Sequence, residues 1–197
     1  MADSFFTNLA AKAFRAGITP RTDQSRAWFR DEVKNLKNIN RRQLLKDPAV
    51  EPKGRARVGS MYMYFYDPKH QATLPYYDTF PLTIMVEPVK GGFYGLNLHY
   101  LPLALRANLF DSLIDLTNNK KYDESTRFKL KYNLLKSATK LRYFKPCFKH
   151  YLYSQIEGRV AMVEAPAWEM ALFLPTEQFR KSTKSAVWKD SRAIIRG

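Results

Sequence analysis

The sequence predicts an α+β fold: a small, strongly twisted antiparallel sheet, with an SH3-like barrel as the closed form it could take, N-terminal helices and a helical insertion. Three observations lead there. An aromatic block over residues 61–100 has strand composition broken by turn residues, segments of helical spacing flank it on both sides, and the charge is segregated between them. Of a net +15, residues 1–60 carry 13 basic against 6 acidic side chains and residues 118–151 carry 10 against 2, while residues 61–117 hold 3 against 5. A basic excess confined to two segments predicts a surface that faces a polyanion.

The first helix is predicted over residues 2–16, where Phe5, Leu9 and Ala13 share one row, Phe6, Ala10 and Phe14 the next, and Gly17 supplies a stop. Thr19-Pro20 offers a cap and a first-turn proline for a second helix running to about Lys46. On that helix Trp28, Phe29, Val33, Leu36 and Ile39 gather on one arc, with Arg30, Lys34, Lys37 and Arg41 opposite. Asp47-Pro48 and Glu51-Pro52 end it, and a basic linker with Arg55 and Arg57 follows.

Met61–Tyr66, Leu82–Glu87 and Phe93–Tyr100 read as three strands of an antiparallel meander, the last two joined by the Val89–Gly92 turn. Alternation puts Tyr62, Tyr64 and Tyr66 on one face and Met61, Met63 and Phe65 on the other. Residues 103–116 return to helical spacing, and a further helix over about 124–143 presents Lys129, Lys136 and Lys140 opposite a Leu stripe. Tyr151–Ile156, Val160–Val163 and Trp168–Leu174 are strand candidates, and residues 176–192 read as a helix or ordered arm. We therefore divide the chain into a basic helical arm, 1–57, and an α+β core domain, 58–197, whose helical insertion covers about 103–145. The arm would pack on the core or extend from it. Phe65, Phe93, Leu98 and Trp168 are the expected core.

No apolar run reaches the ~18–20 residues a membrane span needs, and no membrane partner is expected. An acid at Asp3 stands where a secretion signal would be positive. One cysteine, Cys147, cannot form an internal disulfide and fits a reducing compartment. Cys147 and His150 lie three apart without a second ligand pair, so neither metal nor cofactor is expected. Glycine-rich phosphate loops and nucleophile elbows are absent from the sequence. Asp67, Asp78 and Glu87 could serve a metal-dependent nuclease, but Glu87-Pro88-Val89-Lys90 has one residue more than the common Asp/Glu-x-Lys arrangement. The tyrosines of the first strand could stack unpaired bases, although packing is the stronger expectation.

Three stretches carry a resemblance: Gly59-Ser-Met-Tyr-Met-Tyr-Phe-Tyr-Asp-Pro-Lys69, Leu74-Pro-Tyr-Tyr-Asp-Thr-Phe-Pro-Leu82 and Gly91-Gly-Phe-Tyr-Gly-Leu-Asn-Leu-His-Tyr-Leu-Pro102. They resemble the DNA end protector family of virion proteins from contractile-tailed bacteriophages (myoviruses). The likeness covers residues 59–110, with looser stretches at 143–151 and 168–175, and does not reach the first 50 residues. It implies a virion protein, made in the host cytoplasm, that shields the termini of packaged DNA from exonuclease. It implies no catalytic residue. The nucleic-acid-binding candidates, read from charge alone, are Arg30, Lys34, Lys37, Arg41, Arg55, Arg57, Lys129, Lys136 and Lys140, contacting phosphates without reading sequence. Other virion subunits, or further copies of the chain within the particle, are the remaining expected partners. The alternative is a neck, tail or baseplate component whose basic faces meet acidic protein; a metal-dependent nuclease is the third reading.

Overall fold

The computed structural model describes residues 4–34, 36, 39–52, 56–118, 133 and 145–197. In chain order the elements are α1 (Phe5–Arg15), α2 (Asp23–Val33), α3 (Arg41–Leu44), β1 (Val50–Pro52), β2 (Met61–Tyr66), β3 (Tyr77–Asp78), β4 (Leu82–Val89), β5 (Gly92–Asn97), α4 (Leu103–Asn118), β6 (Phe148–Leu152), β7 (Ile156–Val163), α5 (Trp168–Phe173), β8 (Phe179–Arg180) and α6 (Lys184–Arg196). Six strands form an antiparallel sheet in the order β1-β7-β2-β4-β5-β6, and β3 pairs with β8 in a separate two-stranded ribbon.

The sheet is strongly curled. On a flat sheet β6 would lie ~14 Å from β2, three strand spacings away. Yet the Tyr66 hydroxyl on β2 accepts the Leu152 N–H of β6 at 3.2 Å, and the rings of Tyr66 and Tyr151 are 4.9 Å apart. The three residues Tyr153–Gln155, a 3₁₀ turn, suffice to carry the chain from β6 at one edge to β7 on the far side of β2. Register shifts between Met63 and Phe65 and between Met85 and Glu87 mark bulges, which bend a strand and raise its twist. Among the described residues no ladder joins β6 to β7, so the expected SH3-like barrel is corrected to an open, curled sheet.

The alternation of β2 sorts the interior as expected. Met61 and Met63, with Phe65 packed beside them, join Leu82, Ile84 and Leu96 on the face covered by the helices. Tyr62, Tyr64 and Tyr66 turn into the concave face, where they meet Met85, Phe93 and Tyr151 in a second cluster. Edge-on ring contacts fill it, including Tyr64 against Tyr151 at 5.6 Å and against Phe93 at 6.1 Å, a geometry the ring quadrupoles favour. Of the four expected core residues, Phe93, Leu98 and Trp168 are buried and Phe65 packs against the core.

The N-terminal helices pack on the sheet. Phe6, Leu9, Phe29, Val33 and Leu44 belong to the same cluster as Met61 and Ile84. Ser4 caps α1 by accepting the Thr7 N–H, and its own hydroxyl donates to Asp47 at 2.9 Å. The second helix begins at a Thr22–Ser25 capping box, three residues beyond the expected Thr19 cap. Glu169 of α5 then binds this start, accepting the Ser25 hydroxyl at 2.5 Å and the Arg21 N–H at 3.0 Å.

Two expectations are corrected. The single helix from Pro20 to Lys46 is two, α2 and α3, the second capped afresh by the Asn40 side chain on the Gln43 N–H. The residues between are rich in asparagine, which competes with the helical backbone for hydrogen bonds. Trp168–Leu174 is not a strand: residues 168–173 form α5, a short helix buried all round, with the Trp168 indole donating to Val163 O at 2.7 Å. The expected helix over about 124–143 lies outside the described residues, except for residue 133, which is helical and exposed.

Gly92 marks the tightest approach in the curl, since a Cβ there would sit 2.0 Å from the carbonyl oxygen of Tyr151 on the neighbouring β6. Gly92→Ala is therefore expected to lower stability by ~2–3 kcal/mol, as overpacking against backbone does, measured by denaturant unfolding. A change within ~0.5 kcal/mol, typical of open surface sites, would mean that β6 does not lie there.

Candidate nucleic-acid interface

Of the candidates taken from charge, Arg30, Lys34 and Arg57 are exposed. Arg30 and Lys34 lie one turn apart at the end of α2, and Arg30 approaches the Asp31 carboxylate no closer than 4.0 Å. Arg41 stands on a different helix from these two, and its guanidinium is engaged inside the fold. Its Nε donates to Thr176 O at 2.9 Å, another nitrogen donates to Glu177 O at 3.1 Å, and the group lies over the Phe80 ring. The break between α2 and α3 thus separates what the helical wheel had joined. Lys37, Arg55, Lys129, Lys136 and Lys140 lie outside the described residues.

A basic row that sequence reasoning missed is on α6. Lys189, Arg192 and Arg196, spaced by three and four, are all exposed and share one helical face. None of the three has an ion-pair partner among the described residues. The opposite side of α6 is anchored by Val187, fully buried, and a flank by the Trp188 indole, which donates to His99 O at 2.9 Å. The spacing was visible in the sequence; the apolar positions that orient it, Val187 and Trp188, were read only as part of a helix or arm.

Three acidic residues are drawn inward, which adds to the cationic excess of the surface. Asp47, Asp78 and Glu169 are buried, against Arg106 as the one buried Lys or Arg among those described, with His99 buried beside Asp78. Asp78 accepts four hydrogen bonds: from the N–H of Phe80 and of Gln178, both at 3.0 Å, from the Asn97 amide at 3.2 Å, and from His99 Nδ1 at 2.6 Å. Burial pushes this carboxyl up, but the adjacent His99 and the donated hydrogen bonds outweigh it and hold Asp78 below the usual carboxylate range. The other ring nitrogen, His99 Nε2, meets the Thr176 hydroxyl at 3.1 Å.

This Asp–His–Thr row has the order of a nucleophilic triad but no route for a substrate, because Asp78, His99 and Thr176 are all at most 3% exposed. It is an internal brace. Arg106 completes it, donating to the carbonyls of Leu101 at 2.8 Å, Leu172 at 3.0 Å and His99 at 3.2 Å beneath the Trp188 ring. Burial lowers its pKa to about 10, which still leaves it charged at neutral pH. The Cys147 thiol is buried and pushed up to about 12 by its surroundings, away from nucleophile chemistry.

The other candidate chemistries can be placed in the same way. The Asp67 carboxylate takes the Gln71 amide at the start of a loop, and among the described residues no three His, Cys, Asp or Glu side chains converge as a metal ion would require. Tyr62 and Tyr64 are fully buried and Tyr66 nearly so, which settles the strand tyrosines as packing rather than as a base-stacking platform. No described helix is long and apolar enough to cross a membrane.

An open curled sheet braced by a buried hydrogen-bond network, dressed in helices that carry exposed cations, defines a class: a basic-surfaced protein suited to a polyanion. The particular family follows from comparison with known proteins. Residues 1–191 match the family described as the phage T4 terminal DNA protecting protein, and the chain belongs to that family. The match takes in the N-terminal helices, which the sequence resemblance had not reached. No curated protein and no solved structure matches the chain.

The depressed Asp78 carboxyl makes a prediction about acid stability. Since its folded value lies below the unfolded ~3.9, its stabilisation is complete above pH ~4 and is lost as pH falls through the folded value. Glu177 contributes in the same direction, burial being outweighed there by His99, Arg106 and Lys184. Thermal melts should fall steeply below pH ~4, and Asp78→Asn should lower the neutral-pH midpoint and flatten that acid limb. An acid limb of unchanged slope in the variant would remove Asp78 from this role.

Proposed function

We propose that the protein binds the ends of packaged phage DNA through the phosphate backbone, without reading sequence and without cutting, and so denies exonucleases their substrate. The observation that carries this is membership, over nearly the whole chain, of the terminal DNA protecting family. The physical support is the distribution of charge: cations on exposed helix faces at Arg30, Lys34, Lys189, Arg192 and Arg196, with three carboxylates withdrawn into the core. Arg57, at the entry to β2, adds to it. Lys37, Arg55, Lys129, Lys136 and Lys140 belong to the same proposed surface on charge alone. Arg41 is better read as a brace on the Thr176–Glu177 backbone.

Phosphate contact of this kind is sequence-blind, because phosphates are the same at every base pair. It is also what protection demands, since packaged ends must be covered whatever their sequence. Virion association follows from such a role, because a protein that covers a DNA end must travel with it among the other subunits of the particle. Asp78 is held for structure, because it is saturated with donors and carries no lone pair toward solvent.

If about six side chains neutralise phosphates, the log–log salt slope of binding should be about −5. Reversing charge at Lys189 and Arg192 together should weaken binding to every sequence alike, by roughly tenfold or more, while stability stays within ~0.5 kcal/mol. Linear DNA should survive exonuclease in the presence of the protein and should not be cut by the protein with magnesium. Binding that is flat with salt, or magnesium-dependent cleavage by the pure chain, would overturn the proposal.

A further inference from the structure

A second polar feature stands apart from the basic rows. Between β6 and the loop 67–77 lies a cavity of about 530 Å³ at the open end of the concave sheet face, within the size range of pockets that take nucleotide-sized ligands. Tyr76 from the loop and Tyr100 beneath it, ring centres 5.9 Å apart, give it aromatic walls. Lys149 lines it, half-buried, with its ammonium 4.3 Å from the centre of the Tyr100 ring. Lys69, His70 and His150 are exposed at its rim. The one carboxylate in the lining, Asp78, already faces His99 and three further donors.

Two features say that this is a built site. Among the described residues Lys149 has no carboxylate partner, and burial depresses its pKa, so the charged form lacks the compensation that an entering anion would supply. The outer wall is braced from behind: the Lys181 ammonium donates to the carbonyls of Gln71, Ala72 and Leu74, and the Tyr77 hydroxyl donates to Gln71 at 2.9 Å. Lys181 holds a left-handed backbone, φ 63°, to make this reach, a conformation rare for a side-chain-bearing residue. A wall held this way keeps its shape before a ligand arrives, which reduces the ordering cost of binding.

We propose that this cavity receives the terminal nucleotide of a DNA strand, its phosphate on Lys149 and the cationic rim, its base against the aromatic walls. The proposal rests on the DNA-binding reading above and supplies what the basic rows lack, a reason to prefer an end. A nucleotide inside a duplex must be unpaired and swung out, at a cost of a few kcal/mol. A terminal nucleotide frays at the least cost and has chain on one side only. Base stacking on the ring faces needs no sequence, so end preference and sequence indifference coexist. Of the β2 tyrosines, Tyr62 and Tyr64 are sealed in the core and only Tyr66 reaches the cavity lining, whereas Tyr76 is partly exposed.

The test uses the full chain and DNA duplexes carrying 2-aminopurine either at the terminal position or well inside, with a covalently closed circle as competitor and free deoxynucleoside monophosphate as a separate probe. Binding should quench the terminal fluorophore alone, and linear DNA should outcompete the circle. Tyr76→Ala should abolish the quenching. Lys149→Met should lower the preference for linear over circular DNA by about tenfold, as loss of one charge-assisted contact does, with affinity for the circle unchanged. Because Lys149→Met could also disturb the fold, the rim variant Lys69→Ala/His70→Ala, at exposed positions, should lower the same preference with an unchanged melting temperature. Saturating binding with no terminal quenching, or end preference kept in the rim and Lys149 variants, overturns the pocket while leaving backbone binding intact. Free monophosphate bound as tightly as an end overturns the terminus in favour of a soluble nucleotide. Failure to bind either linear or circular DNA overturns both this proposal and the one it rests on.

Discussion

One buried carboxylate ties together segments that secondary structure leaves unconnected. Asp78 takes donors from the chain just beyond it, from β5 through Asn97, from the turn after β5 through His99, and from the approach to β8 through Gln178. Hydrogen bonds to an ionised acceptor are about twice as strong as neutral ones. Removing a partner from such a group costs far more than the net worth of the pair. From His99 the network continues to Thr176 on one side, and through its carbonyl oxygen to Arg106 and Trp188 on the other. The two-stranded ribbon, the main sheet, α4 and α6 are therefore fixed to one another by polar atoms, where apolar packing alone would leave their relative angles loose.

That arrangement separates two uses of charge. Inside, charged groups are tied at short range to backbone and side-chain hydrogen-bonding groups, so they contribute geometry. Outside, Lys189, Arg192 and Arg196 of α6 have no ion-pair partner among the described residues, and with Arg30 and Lys34 of α2 they contribute a field. The family to which the chain belongs acts on DNA ends, and a field of this kind provides attraction without choice of sequence. Rigidity links the two, because Trp188 reaches the brace while Lys189 and Arg192, next on the same helix, face solvent.

The sequence was most legible where a single period ruled. Met61–Tyr66 alternates strictly, and its bounds and faces appear in β2 as read. Residues 168–173 misled because a helix apolar on every side shows no 3.6-residue period, and a short apolar run is equally a strand. The long second helix misled because its wheel was continued through a stretch rich in asparagine, past the point where Asn40 starts a new helix. β1 is three residues long and includes Pro52, too little to signal a strand at all. Of the candidate site, the surface cations could be named from charge, but that Arg41 serves the interior depends on carbonyls 135 and 136 residues away. The cavity beside Lys149 is likewise assembled from three distant segments and has no local signature.

The curl of the sheet also dictates when the protein can fold. β7 pairs with both β1 and β2, matching Val163 to Val50 and to Met61, and the start of α2 is held by Glu169, 148 residues from Arg21. Contacts so distant in sequence demand that loop-closure entropy be lost before any of them forms. During synthesis the basic N-terminal helices emerge first, with their apolar sides uncovered, and must wait for residues 156–173 before the surface that receives them exists. Assembly is thus a late, concerted event in which the first and last thirds of the chain meet. A half-made molecule therefore lacks the surface on which its own first helices are packed.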